Sequence, residues 1–202
     1  MMRGRSNGLL RAAIVGLVVA GCGGDGTNAG AVADTANAPA QAAQAPAPLA
    51  DAQVVHIART ANTVATEGAE LAKAQSRNAD VLRFADTVIA DHAAISRLLD
   101  ELMQRRSATP MEHALSRGLA SSAGEARARL ERLDSAAFDR AYLEREVAYH
   151  EALLGVFDRR LLPDAKDDEL EALLENVRPA IEAHLRRARQ LVVELGAEST
   201  EG

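Results

Sequence analysis

The chain has 202 residues, with 23 Lys and Arg against 29 Asp and Glu, a formal net charge of −6. It has no Trp, two Tyr and three Phe; an acidic chain without a basic cluster or stacking aromatics argues against nucleic acid as a partner. The single cysteine excludes a disulfide within the chain.

Arg3, Arg5 and Arg11 make a positive start, followed by the short apolar run Ala12 to Ala20, AAIVGLVVA. The run falls short of the ~20 residues that span a bilayer, but it suits the core of a secretory signal. It ends in Val19-Ala20-Gly21-Cys22. Small residues before a cysteine resemble the lipobox of bacterial lipoproteins, in which the cysteine is lipidated and becomes the mature N-terminus. The alternative is an ordinary signal peptide ending by chance near a cysteine. The resemblance implies a lipid on Cys22, a membrane contact through it, and a periplasm-facing place in the cell envelope. Gly23 rather than Asp after the cysteine implies the outer membrane, by the sorting rule of some Gram-negative bacteria. Loss of Met1 to Gly21 removes three Arg and no acid, so 20 basic and 29 acidic residues remain, a net −9.

Residues 22–50 are nearly all Ala, Gly, Pro, Asn and Gln. With almost nothing bulky to bury, such a segment cannot offset its ordering entropy. It reads as a tether with a reach of ~30 Å.

Residues 51–195 read as one folded domain, all-α, rich in good helix formers. Four apolar stripes advance by three and four residues, which keeps side chains on one helix face. The first predicted helix, Asp51 to Gln75, carries Ile57, Thr60, Val64, Glu67, Leu71 and Ala74. The second follows Asn78 as a cap and runs to about Arg106, with Val81, Ala85, Val88, His92, Ile95, Leu99 and Leu102. Ser107 to Asp134 then forms a connecting stretch with weaker helix, whose Thr109-Pro110-Met111-Glu112 reads as a helix start. The third helix follows Ser135 as a cap and runs to about Leu161, with Leu143, Val147, His150, Leu154, Phe157 and Leu161. The fourth follows Asp164 and ends at Gly196, with Leu170, Leu174, Val177, Ile181, His184, Ala188, Leu191 and Leu195. Residues 196–202 form a short C-terminal tail.

Long helices with narrow seams fit a four-helix bundle. The 28-residue connection can return the chain along a ~40 Å bundle, making the second and third helices parallel, as in ferritin-like topology. The alternative is an up-and-down bundle of five helices.

Three of the five His lie on the stripes of three helices. With the crossover, His92, His150, His184 and Glu67 fall within ~6 Å of bundle height. Three imidazoles and a carboxylate converging in an apolar core point to a metal site for Zn, Cu or Fe. Asp91, Glu146, Glu151 and Tyr142 are near enough in sequence to orient the rings by hydrogen bonds. The bland reading is a metal-free layer in which the histidines bond to each other, to Tyr142 or Tyr149, or to buried water. His56 and His113 look peripheral. No Glu has a His three residues later, so the usual di-iron pattern is missing. Nor is there a His-Glu-x-x-His, a Walker loop or a nucleophile motif. Pro179 is expected to kink the fourth helix five residues before His184.

The domain resembles the bacterial family called domain of unknown function 4142, whose members are often labelled as outer membrane proteins. The matching pieces are Val81-x-x-Phe84-Ala85, Asp91-His92, Phe138-Asp139-x-x-Tyr142, His150 eight residues after that Tyr, and Pro179 five before His184. The resemblance implies a ferritin-like fold and export, and places histidines at His92, His150 and His184; it implies no activity. Val88 stands where Met is usual and Ser135 where Gly is usual, and the first helix matches most loosely. Two functions follow: an exported, lipid-anchored bundle that sequesters or senses a metal, or an envelope interaction module with a metal-free core. A metal-dependent oxidase or hydrolase is the weakest reading, because no acid–base pair can be argued.

Overall fold

The computed structural model describes residues 46–198, and all of its regular structure is helical. The export signal, Cys22 and most of the tether lie outside the described residues. The packed chain begins before Asp51. Leu49, expected in the tether, is buried, and its amide donates to Asp164 Oδ2 at 3.0 Å.

Helix α1 spans Asp51–Gln75 and α2 spans Ala79–Arg105. Asn78 caps α2 as expected, its Oδ1 accepting from the amides of Asp80 and Val81. Helix α3 spans Ala114–Leu130. Its cap is His113, not Thr109: the His113 Nδ1 accepts from Leu115 N at 3.1 Å. Thr109 to Glu112 stay non-helical because the Met111 amide is taken by the Ala52 carbonyl of α1 at 2.8 Å. Helix α4 spans Ser135–Val156, and its cap is Asp134 rather than Ser135, since Asp134 Oδ1 accepts from Ala137 N. A π-helical turn, Phe157–Leu161, carries α4 into α5, Leu162–Asp164. Helix α6 spans Asp168–Glu198. Asp167, not Asp164, accepts from its first amides, those of Glu169 and Leu170. The helix continues through Pro179 and past Gly196, so Gly196 does not end it.

The ends of the helices show their directions. At one end, Lys166 N donates to Asp51 Oδ1 at 2.7 Å and Arg106 pairs with Asp167 at 2.7 Å. At the other, Arg187 reaches Asp80 at 3.3 Å. Thus α1 and α6 run one way and α2 and α4 the other. The chain between α2 and α4 must travel back along the bundle, and α3 does this against the outside of α1 and α4. At ~1.5 Å per residue its 17 residues cover roughly 25 Å of that return.

Helix packing buries two apolar clusters. One holds Ile57, Ile95, Leu99, Leu153, Phe157 and Ile181; the other holds Ala65, Val88, Phe138, Leu143, Ala188 and Leu191. Between them in the sequence of each inner helix lies a polar residue: Asn62 on α1, His92 on α2, Glu146 and His150 on α4, His184 on α6. The core is therefore cut by a polar layer.

Candidate metal centre

The three histidines predicted to converge do so. Their ring centroids stand 5.3 to 6.0 Å apart, and the rings are 1%, 0% and 3% exposed for His92, His150 and His184. One ring nitrogen from each lies within 4.8 Å of one from each of the others.

Each ring is held from outside by an acceptor. His92 Nδ1 donates to Asn62 Oδ1 at 2.8 Å. His150 Nδ1 donates to the Glu146 carbonyl at 2.9 Å, one helical turn back. His184 Nε2 donates to Asp91 Oδ2 at 2.9 Å. A nitrogen bonded to an acceptor carries the ring's proton, so the other nitrogen presents a lone pair. Those are His92 Nε2, His150 Nε2 and His184 Nδ1, all buried and without a partner.

Burial also fixes the charge. Desolvation, helped by the neighbouring rings, pushes His92 down to about 3. Desolvation takes His150 down to about 4, against the pull of its bond to the Glu146 carbonyl. Both rings are neutral at physiological pH, which is the form a metal takes up.

The four expected orienting residues divide. Asp91 accepts from His184 through its carboxylate, whereas Glu146 accepts from His150 through its backbone carbonyl and its Oε2 makes no hydrogen bond. Glu151 faces solvent and pairs with Arg189. Tyr142 is fully buried against Phe138 and Phe84, but its hydroxyl has no partner and bonds none of the rings. Tyr149 donates instead to the Ala61 carbonyl at 2.6 Å.

Glu67 is not in the layer. It is exposed, on a groove of about 200 Å³ between α1 and α3 that Thr60, Gly68, Arg127 and Arg145 also line. Because α3 covers part of α1, the buried face of α1 is broader than one stripe, and the row through Thr60, Val64 and Glu67 turns toward α3. The residue that α1 contributes is Asn62, which the stripe analysis passed over. Its signal was a polar, poor helix former beside the small residues Ala58, Ala61 and Ala65.

Beside the layer, Arg145 lies against Glu146 and sends Nη2 to the Val64 carbonyl at 3.3 Å. Its guanidinium also covers the Tyr149 ring at 4.9 Å. A Cβ at Gly68 would press on this guanidinium, which would have to shift. Burial pushes the Glu146 carboxyl up, against the opposing pull of Arg145.

A sequence profile of the family described as Domain of unknown function (DUF4142) matches residues 36–191. The chain belongs to the DUF4142 family. No curated protein and no solved structure shows significant similarity to it. For this DUF4142 protein the site must therefore be read from its own geometry.

Proposed function

We infer that this DUF4142 protein is a ferritin-like four-helix bundle, with α3 as its crossover, that binds one transition-metal ion through His92, His150 and His184. The observation that carries the reading is the set of three buried lone pairs without a donor. An unsatisfied buried polar group costs ~1–3 kcal/mol. Three together are a large fraction of the ~5–15 kcal/mol by which a domain is stable. A metal-free layer does not offset this cost: a single water has two hydrogens to donate, and three acceptors face it. One cation satisfies all three.

The fit is close. Ligands on a tetrahedral ion at ~2.0–2.1 Å stand roughly 3.4 Å apart. The ring nitrogens, within 4.8 Å of one another, need to close by no more than about 1.4 Å. Outer acceptors on all three rings are the arrangement that orients metal-binding imidazoles. Holding an ion, as sequestration or sensing, fits this closed site better than turnover.

The lipid anchor is part of the same proposal. It rests on Arg3 to Cys22 and on the Ala- and Pro-rich segment after it. Among the described residues no helix is long and apolar enough to cross a membrane.

The test is direct. The purified chain, stripped by chelator, is dialysed against Zn, Cu or Fe, and bound metal is measured by mass spectrometry. One ion per chain is expected. At 100-fold excess over Kd it should add about 2.7 kcal/mol, a Tm rise of roughly 5–10 °C. No stoichiometric metal and no thermal shift would remove the reading.

A further inference from the structure

We propose that the ion this site is built for is monovalent copper, Cu(I), held by three imidazole nitrogens in a trigonal site closed to solvent. The proposal rests on the three-histidine reading above and names its ligand. Three observations carry it.

The first is the number of donors. Among the described residues the metal-ligating group consists of His92, His150 and His184, with no carboxylate or thiolate in it. Zn sites are almost always four-coordinate. Mg and Ca demand oxygen ligands, six or more. Cu(I), a filled-shell ion, accepts three ligands in a plane, and imidazole suits copper.

The second is room. A fourth ligand from solvent needs a cavity of at least ~10–15 Å³ with several polar partners. The three histidines are 1%, 0% and 3% exposed, so bulk solvent does not reach the layer. The protein itself offers three donors, and a fourth does not come from bulk solvent.

The third is charge. The three rings bring none. Glu146 is paired with Arg145, and that pair sums to zero. Asp91, whose carboxylate accepts from His184, is the one uncancelled acid bonded to a ligand ring. Against that single negative charge, Cu(I) leaves the layer neutral. A divalent ion leaves a net positive charge between two apolar clusters, and buried uncompensated charge is costly.

The experiment uses the whole chain carrying Cys22→Ser, so that its only thiol cannot compete. Cu(I), supplied as an acetonitrile complex without oxygen, is titrated against a chromogenic Cu(I) chelator. Zn(II) is titrated in parallel against a Zn chelator, and the Cu(I) form is examined by X-ray absorption. One Cu(I) per chain is expected, bound at least tenfold more tightly than Zn(II). The absorption spectrum should show three nitrogen scatterers and no sulfur. His150→Ala should abolish binding; if it fails to fold, His150→Gln keeps more of the volume and should do the same. Zn(II) binding as tight as Cu(I), or a fourth ligand or sulfur around copper, would overturn the proposal and leave the three-histidine site standing. Failure of both ions to bind would overturn the site as well.

Discussion

The chain uses histidine in two regions, and the regions treat it differently. On the α1–α3 face, His113 Nδ1 accepts the Leu115 amide and caps α3, while His56 Nδ1 lies 3.1 Å from Ser116 Oγ. Both rings are partly exposed and find partners, His113 at its own helix start and His56 across to α3. In the layer, His92, His150 and His184 each spend one nitrogen on an outer acceptor and keep the other unpartnered. The side chain is the same. What differs is whether a donor is at hand. A helix start offers free amides; in the layer the backbone N–H groups are bonded along their own helices, and no side-chain donor is aligned on these nitrogens.

The sharpest way to break this comparison is to remove rings from each region and measure metal affinity. His92→Ala, His150→Ala and His184→Ala should each weaken binding by roughly 100-fold or more, exceeding the effect expected for outer partners. His56→Ala and His113→Ala should change it less than about twofold. Equal losses in both sets would mean the layer is not the site.

Acid should separate the regions next. His92 and His150 are neutral in the fold but become protonated in the unfolded chain below the usual 6.5. The unfolded state then binds more protons, so stability falls as pH drops from 6.5 to about 4 for His150 and about 3 for His92. At its steepest the slope is on the order of 1.4 kcal/mol per pH unit for each ring. Denaturant midpoints of the metal-free chain measure this, and a His92→Leu, His150→Leu double variant should flatten the profile.

Smaller effects come from the acceptors. Asn62→Ala and Asp91→Ala should each lower metal affinity by ~10–100-fold, read by chelator competition. Glu67→Ala, on the outer groove, should leave it unchanged. Smallest is the cap: His113→Ala should cost about 1 kcal/mol of stability, with metal affinity intact.

Much of the fold was readable in advance. The bounds of α1 and the Asn78 cap of α2 follow from local patterning, which acts within a few residues. The misplaced caps share a cause: Asp134 and Asp167 stand one or three residues from the expected positions, Ser135 and Asp164. Adjacent polar residues are equal candidates until the chain's path is known. Asp164 is instead occupied by Leu49 N, reaching it across the bundle end, and by Arg160 one turn before it.

At the site, the three histidines were legible because each replaces an apolar residue on a clean stripe. Asp91 was legible by adjacency; Glu146 serves His150 through its carbonyl, which any residue one turn earlier would supply. The exchange of Glu67 for Asn62 was not. Helix α1 packs against α2, α3 and α4, so its sequence shows a broad apolar face from which no single inward row can be chosen.

By itself the sequence determined that the chain is helical, where its long helices lie, and that three imidazoles sit on inward faces, because side-chain periodicity and capping are local. Only the tertiary structure decided which nitrogen of each ring points inward, that Asn62 rather than Glu67 completes the layer, and that no donor meets the three lone pairs. Those depend on which helices touch and at what height, and contact between residues 30 to 93 positions apart is a property of the packed bundle.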